Sequence, residues 1–112
     1  MNDQAMVKLL SCLGLARRSG ELLIGQDSIK FKRASQEGLL VVFAEAGSSF
    51  YRSCRRGSDR GDFVVVEPPG LSVENLSAAV GSRKVKVVAL PLRSGLAQRI
   101  LQLLAEGGES DE

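Results

Sequence analysis

The sequence predicts an α/β protein, a three-layer α/β/α sandwich that begins with a helix and surrounds a four-stranded mixed sheet. Amphipathic segments, with apolar residues every three or four positions, alternate along the chain with short apolar runs. Glycines and prolines separate these segments. With 112 residues, 44% hydrophobic and 25% charged, the composition is that of a compact globular domain. We therefore expect one domain over residues 1–105 and a disordered acidic tail over residues 106–112.

The first predicted helix covers residues 5–18, where leucines and alanines recur at helical spacing along one face. Asn2 or Asp3 is the expected N-cap, because short polar side chains satisfy the free N–H groups of the first turn. A short apolar strand, expected to be buried, follows at residues 22–24.

The second predicted helix covers residues 26–37 and stops at Gly38, a residue that adopts the left-handed conformation without strain. Its register is left open, because Ile29 has no apolar partner one turn later and Phe31 points elsewhere. The continuous apolar run at residues 39–44 predicts a central strand covered on both faces. Three of its side chains are expected to be fully buried: Leu40, Val42 and Phe43.

The third predicted helix is capped by Ser48 or Ser49 and followed by a glycine-containing loop over residues 57–62. Its apolar residues, Phe50, Tyr51 and Cys54, are expected to face inward. The densest basic cluster of the chain lies on its outer face and in the loop, and consists of Arg52, Arg55, Arg56 and Arg60. Such a cluster is typical either of a solvated helix face or of a binding surface.

The remaining elements follow the same alternation. A strand at residues 63–66 precedes a fourth helix that Ser72 caps and Gly81 ends. A fourth strand at residues 85–90 precedes a last helix, capped by Ser94, with an apolar stripe.

The charge is asymmetric along the chain. Residues 1–105 carry 15 basic and 9 acidic residues, a net charge of +6, whereas the whole chain carries +2 because the tail is acidic. A basic globule suits nucleic-acid binding, although +6 is also compatible with an ordinary protein surface. With four Phe, one Tyr and no Trp, the chain is not expected to form an aromatic platform for single-stranded nucleic acid, so a structured RNA is the expected ligand.

Catalytic and metal chemistry is not indicated. The chain has no histidine, which is the commonest general base and metal ligand, and the scattered carboxylates form no recognisable pair. Cys12 and Cys54 lack metal-site spacing and are expected to be small buried residues. We expect no catalytic residue, no metal and no cofactor. No signal peptide or membrane-length apolar run is visible, so a cytoplasmic location is expected.

The junction around Gly25 is the chain's most informative feature. An apolar strand runs into a glycine that opens the second helix, and such a junction presents backbone N–H groups to an anion. The alternative is that the glycine serves packing alone, as in many α/β proteins. Basic residues flank the junction in the sequence: Arg17, Arg18, Lys30, Lys32 and Arg33.

This order of elements resembles the kink-turn-binding ribosomal protein family, with its large-subunit proteins "seven-Ae" and "thirty-e" and small bacterial relatives of the YlxQ type. The resemblance covers the chain to about Leu104 and rests on LGLARRSG at residues 13–20, Gly25, and residues 40–45. It also rests on SVENLSAAVG at residues 72–81, which is similar to the family's Ser-x-x-x-Leu-x-x-Ala-x-Gly helix. It implies a non-catalytic RNA-binding domain in a bacterial ribosomal or RNA-processing context.

The resemblance also implies an altered recognition motif. In the family the strand-to-helix junction reads Gly-x-Asn-Glu-x-x-Lys and recognises the sheared guanine–adenine pairs of a kink-turn. Gly25 matches the glycine, whereas Asp27, Ser28 and Phe31 stand at the Asn, Glu and Lys positions. Asp27 can only accept hydrogen bonds, and it brings a negative charge toward phosphates. We therefore expect weaker kink-turn binding than in typical family members.

The family's second RNA-contacting region, the loop after the fourth helix, is apolar, whereas here it is Ser82-Arg83-Lys84. This change favours contacts to the RNA backbone over packing on an extruded base. The missing lysine could be replaced by Lys30 or Lys32 if the helix register shifts. The predicted RNA-binding residues are Arg17, Arg18, Gly25, Gln26, Asp27, Ser28, Lys30, Lys32, Arg33, Ser82, Arg83 and Lys84.

Two other hypotheses remain open. A protein-interaction or scaffold module could have kept the fold and lost the RNA site, because the junction departs from the family motif. The chain could also be the substrate-binding domain of an enzyme, since similar domains precede RNA methyltransferase domains, although 112 residues are too few for that catalytic half. RNA binding, without a membrane or a small-molecule substrate, is the leading interpretation. The oligomeric state is left open.

Overall fold

The computed structural model describes residues 3–33, 38–45, 49–59 and 63–109, and within them helices and strands alternate from a first helix onward. The elements are α1 (Asp3–Arg18), β1 (Leu23–Ile24), α2 (Gln26–Arg33), β2 (Leu39–Phe43), α3 (Ser49–Asp59), β3 (Phe63–Val66), α4 (Val73–Val80), β4 (Val87–Pro91) and α5 (Gly95–Glu109).

The four strands form one mixed sheet in the order β1-β4-β2-β3. β2 pairs in parallel with β3 and antiparallel with β4, and β1 pairs antiparallel with β4. Every residue of β2 is buried, as expected of an interior strand covered on both faces. The predicted burial of its core side chains is confirmed, with Leu40 and Val42 at 0% exposure and Phe43 at 2%.

Side-chain alternation along the strands divides the core between two faces of the sheet. Leu40 and Val42 of β2 pack with residues of α1, α4 and α5 on one face. Val41 and Phe43 pack on the other face with residues of α2 and α3. The sheet therefore lies between two helical layers, and the predicted α/β/α sandwich is confirmed.

The burial of α2 fixes its register. Ile29 is fully buried against the sheet, whereas Phe31 is 85% exposed. The structure describes this helix as far as Arg33, and residues 34–37 of the predicted helix lie outside the described residues. Gly38, the predicted stop, is not helical.

The caps of α4 are those that the sequence predicts. The Ser72 hydroxyl accepts a hydrogen bond of 3.0 Å from the Asn75 N–H, and the Asn75 side chain accepts one of 2.8 Å from the Ser72 N–H. Gly81 ends the helix at φ 70°, in the left-handed region. This end matters for function, because the basic loop at residues 82–84 leaves the helix there.

Three predictions are wrong in the amino-terminal half: the burial of β1, the cap of α1 and the end of α3. β1 is half-buried rather than buried, because it lies at the sheet edge and pairs only with β4. Asp3 lies within the first turn of α1 and not at its cap, and the other predicted cap, Asn2, lies outside the described residues. The α3 helix continues to Asp59, because a modest propensity penalty at one glycine is easily offset by an amphipathic packed face.

The carboxy-terminal half differs at two places. β4 begins at Val87, because the N–H of the predicted first residue, Val85, donates to the Ser77 hydroxyl instead of to a strand partner. The α5 helix extends to Glu109, so residues 106–109 of the predicted disordered tail are helical, and residues 110–112 lie outside the described residues. The predicted cap of α5 is present, since the Ser94 hydroxyl accepts from the Leu96 N–H at 3.2 Å.

Within the described residues, no helix has both the length and the apolar character needed to cross a bilayer. The same residues contain no cluster of three or more His, Cys, Asp or Glu side chains arranged to hold a metal ion.

Candidate nucleic-acid interface

Gly25 makes the turn from β1 into α2. Its N–H donates to the Val87 carbonyl at 3.0 Å, and its carbonyl accepts from the Ile29 N–H at 3.3 Å, which is the first bond of the helix. Its φ of 86° lies in the left-handed region, which an L side chain would strain. Gly25 therefore ties the helix start to the sheet and leaves the N–H groups of residues 26–28 without partners inside the helix.

The loop that follows α4 is held by one residue of that helix. The Ser77 carbonyl accepts from the N–H groups of Gly81 and Ser82, the latter at 3.1 Å. The Ser77 hydroxyl accepts from the Val85 N–H at 2.8 Å. Residues 82–84, which we call the basic loop, are therefore anchored at both ends.

Lys84 carries backbone strain within the basic loop. Its φ is 52°, and it is the one non-glycine residue with positive φ in the part of the chain that the structure describes. A non-glycine residue in this region is uncommon, and its conformation persists only where surrounding contacts impose it. The anchored ends of the loop supply those contacts, so the direction of Lys84 is set by the fold.

The junction and the basic loop meet in one cleft of about 380 Å³. β4 lies between them, since Val87 bonds Gly25 and follows the loop directly. The floor of the cleft is apolar, whereas its rim carries the cations of the loop and the start of α2. The residues that line it are Ile24, Gly25, Gln26, Phe43, Glu45, Phe50, Arg83, Lys84, Val85, Lys86 and Val87.

Positive charge predominates at the cleft, which three cations and one carboxylate line. That carboxylate, Glu45, forms an ion pair of 3.7 Å with Lys86. Both side chains are more than half exposed, so the pair contributes little to stability. The ion pair nevertheless neutralises Glu45, the one acid among the lining residues. The net charge of the rim is therefore positive and comes from Arg83 and Lys84.

Lys30 of α2 lies close to an aromatic ring of α3 beside the cleft. Its Nζ lies 5.5 Å from the ring centroid of Phe50, a residue of the cleft lining. A cation at this distance interacts favourably with an aromatic face, by about 0.5–1 kcal/mol at an exposed site. Lys30 follows Gln26 by one helical turn, so its charge lies next to the cleft.

The side chains at the altered motif positions are all exposed. Asp27 and Ser28 occupy the first turn of α2, and Phe31 lies one turn beyond Asp27. An acid in the first turn stabilises the helix through its interaction with the helix dipole. The same acid repels an anion that approaches the N–H groups of that turn. Asp27 therefore favours the helix and disfavours a phosphate at its start.

The structure does not bring every predicted residue to the cleft. Lys32 lines a separate cavity with Leu23 and Pro91, at the carboxyl end of β4, whereas the cleft lies at its amino end. Five strand residues place these ends about 13 Å apart, at about 3.3 Å per residue. Arg18 lines a groove between α1 and α4.

Three further predictions stand as follows. Arg17 is exposed at the end of α1, and the side chain of Arg33 lies outside the described part of the chain. On α3 the predicted outward arginines, Arg52, Arg55 and Arg56, are exposed, and Arg60 lies outside the described residues. Ser82 of the basic loop is half-buried and lines a shallow groove with α4 residues.

Sequence reasoning missed several parts of the cleft. Phe43 and Phe50 form its aromatic floor and lie 6.0 Å apart, at the end of β2 and the start of α3. Lys86 could have been predicted, because a strand start beside a basic loop brings its side chain to the same edge of the sheet. The anchoring role of Ser77 had no signal, since one serine in a helix is usually a surface residue.

No protein-family model matches the sequence, and no match is found among curated proteins. The solved structures that share the fold include two from different organisms. A protein of unknown function from Bacillus halodurans has a TM-score of 0.71 at 23% identity, over 87% of this chain and 96% of that one. The 15.5-kDa RNA-binding protein of Giardia lamblia has a TM-score of 0.65 at 13% identity, over 95% of this chain and 89% of its own. These similarities establish the fold.

Proposed function

We propose that the protein binds structured RNA through the cleft and performs no catalysis. The observation that carries this proposal is the meeting of the β1–α2 junction and the basic loop in one cleft, although they lie far apart in the sequence. The fold similarity to the RNA-binding protein of Giardia lamblia supports RNA binding.

The geometry suits a nucleotide. The N–H groups at the start of α2 can donate to a phosphate, and the cations at Arg83 and Lys84 can neutralise neighbouring phosphates. The floor formed by Phe43, Phe50 and Val87 is apolar but nearly buried, with at most 7% exposure, so it offers only side-chain edges to a ligand. The cleft volume, about 380 Å³, falls within the range of about 300–1,000 Å³ usual for small-ligand pockets.

Within this proposal, the RNA is bent or folded and of the kink-turn type, and the context is ribosomal or RNA processing in bacteria. The N–H groups of Gln26, Asp27 and Ser28 are the backbone donors that such an RNA can use, because the Gly25 N–H already donates to the Val87 carbonyl. Asp27 and Ser28 weaken discrimination, because a carboxylate cannot donate to a base edge and a short hydroxyl has little reach. We expect modest preference for a kink-turn over other folded RNA.

A fluorescence anisotropy titration tests the proposal, with a labelled kink-turn RNA and a scrambled hairpin of equal length at several salt concentrations. Affinity should fall steeply with salt, and Arg83→Ala with Lys84→Ala should reduce the slope by about one unit for each phosphate that is no longer neutralised. Lys32→Ala is the matched control, since this lysine lies outside the cleft, and it should leave the slope unchanged.

The second candidate is a protein-interaction module, which the exposed Phe31 and the acid at the helix start favour. The same titration separates the two functions. Absence of RNA binding in low salt would favour the interaction module, whereas salt-sensitive binding that disappears in the Arg83 and Lys84 variant would exclude it as the main function.

A further inference from the structure

Phe31 is unusually exposed for a large aromatic side chain. It is 85% exposed, against 63% for Val7 and 47% for Leu15, the other large hydrophobic side chains exposed in the described part of the chain. Burial of a phenylalanine is worth about 1.5–3 kcal/mol, and this residue forgoes nearly all of it. Core packing therefore does not account for an aromatic residue at this position.

Helix geometry places Phe31 on the solvent side of α2. At about 100° per residue, it lies about 160° around the helix from Ile29, which is fully buried. Asp27 precedes it by one turn on the same exposed face. Along the helix axis Phe31 lies about 7.5 Å from Gln26, at about 1.5 Å per residue. Around the axis it lies about 140° from Gln26, so the ring is outside the cleft, and an RNA bound at the start of α2 reaches it by extending over the exposed face of the helix.

The surroundings of Phe31 are charged. Lys30 lies on one flank and reaches toward Phe50 of the cleft, with its Nζ 5.5 Å from that ring. Lys32 lies on the other flank, where it lines the separate cavity next to Leu23. A protein-docking surface has an apolar centre, whereas here a single ring lies among charged side chains, with Asp27 one turn before it. Of its neighbours in the chain, only Lys30 has its charge beside the cleft, so a base that follows a phosphate bound there can reach the ring.

We infer that Phe31 stacks on one unpaired base of the RNA that occupies the cleft, and this inference rests on the proposed function. Aromatic rings stack on any base, because every base has a π-face. A single ring does not form the multi-residue platform of single-strand binding proteins, but it can hold one base beside an anchored phosphate. The contribution of Phe31 should be independent of salt, unlike that of a cation at the same place.

The test uses the full chain and a kink-turn RNA that carries 2-aminopurine at one unpaired position at a time. Wild type should quench the fluorescence at one position, and Phe31→Ala should abolish that quench and weaken binding by about 5- to 150-fold, the range for one stacked base. The salt slope should stay unchanged. Phe31→Tyr should retain both the quench and the affinity.

Val7→Ala is the matched control, because Val7 is an exposed apolar residue on the other side of the sheet, and it should bind as wild type does. Thermal unfolding should be the same for all variants, since the changed side chains are exposed. Phe31→Lys should lose the quench and steepen the salt slope.

The outcomes separate this inference from the function on which it rests. If wild type binds neither the kink-turn RNA nor the scrambled hairpin, the proposed function fails. If wild type binds but Phe31→Ala matches it in affinity and quench, or if Phe31→Lys keeps the quench, the stacking role is wrong. A change of oligomeric state in Phe31→Ala without any change in RNA affinity would also overturn it, in favour of a protein contact.

Discussion

The hydroxyl of Ser77 accepts a hydrogen bond of 2.8 Å from the backbone N–H of Val85, eight residues later in the chain. This bond closes the basic loop, within which Lys84 adopts a positive φ and both Arg83 and Lys84 reach the cleft. The bond from Val85, two residues before β4, to Ser77 of α4 therefore sets the direction of the Arg83 and Lys84 side chains.

Replacement of Ser77 by alanine should loosen the basic loop. The Val85 N–H would lose its partner, which costs about 1–3 kcal/mol, and the better helix propensity of alanine offsets up to about 0.5 kcal/mol. We expect a net loss of about 1 kcal/mol in urea unfolding and a several-fold loss of RNA affinity. Ser11→Ala, at an exposed position of α1, isolates the propensity gain and should be slightly stabilising. Equal behaviour of the two variants would contradict the anchoring role.

Replacement of Val42 by aspartate should prevent folding. Val42 is fully buried at the centre of β2, and an unpaired carboxylate there costs several kcal/mol against a total stability of about 5–15 kcal/mol. Circular dichroism should show loss of secondary structure. Val7→Asp places the same charge at a position that is 63% exposed, and this variant should fold.

Burial raises the pKa of the Cys12 thiol above its ordinary value of 9.0, and Arg99 nearby partly opposes that shift. Above pH 9.0 the thiol ionises in the unfolded chain before it ionises in the native one. Its contribution to stability is therefore complete below pH 9.0 and is lost as the pH rises through the native pKa. The free energy of unfolding should fall less steeply above pH 9 in Cys12→Ala than in wild type. Identical pH profiles would show that Cys12 does not titrate differently in the two states.

The sequence predicted the fold well, because its strongest signals are local and agree with one another. The all-apolar run of β2 and the capping residues Ser72 and Gly81 need no tertiary information. Predictions that depended on neighbours were weaker. The half-burial of β1 follows from its place at the sheet edge, which hydrophobicity alone does not specify.

The candidate site was predicted only in part. Gly25, Gln26, Arg83 and Lys84 meet in the cleft, whereas Lys32, which lies as close in sequence, is found elsewhere. Proximity in the sequence does not show which end of β4 a side chain of α2 will lie near. The aromatic floor and the bond from Val85 to Ser77 arise from contacts between distant segments, so neither leaves a local pattern.

The double change Asp27→Asn with Ser28→Glu should raise selectivity for a kink-turn over a scrambled hairpin. Asparagine can donate to a base edge, whereas the negative charge at the start of α2 only moves from position 27 to position 28, so the gain comes from the new donor and not from a change in net charge. The gain should be about 1–3 kcal/mol, the discrimination of one good base contact. Parallel anisotropy titrations of wild type and the double variant measure it. Strong selectivity in wild type would mean that another residue has taken over the role, and Lys30, which lies beside the cleft, is the one placed to do so.

Chemical-shift mapping of the amide resonances during titration with the kink-turn RNA tests the central claim, that RNA occupies the cleft, most directly. The largest changes should fall on Gly25 and Gln26 at the start of α2 and on Arg83 and Lys84 in the basic loop. Changes at Lys32 and along the groove between α1 and α4 should be small. Changes centred on that groove, or an unaltered spectrum with saturating RNA in low salt, would contradict the account.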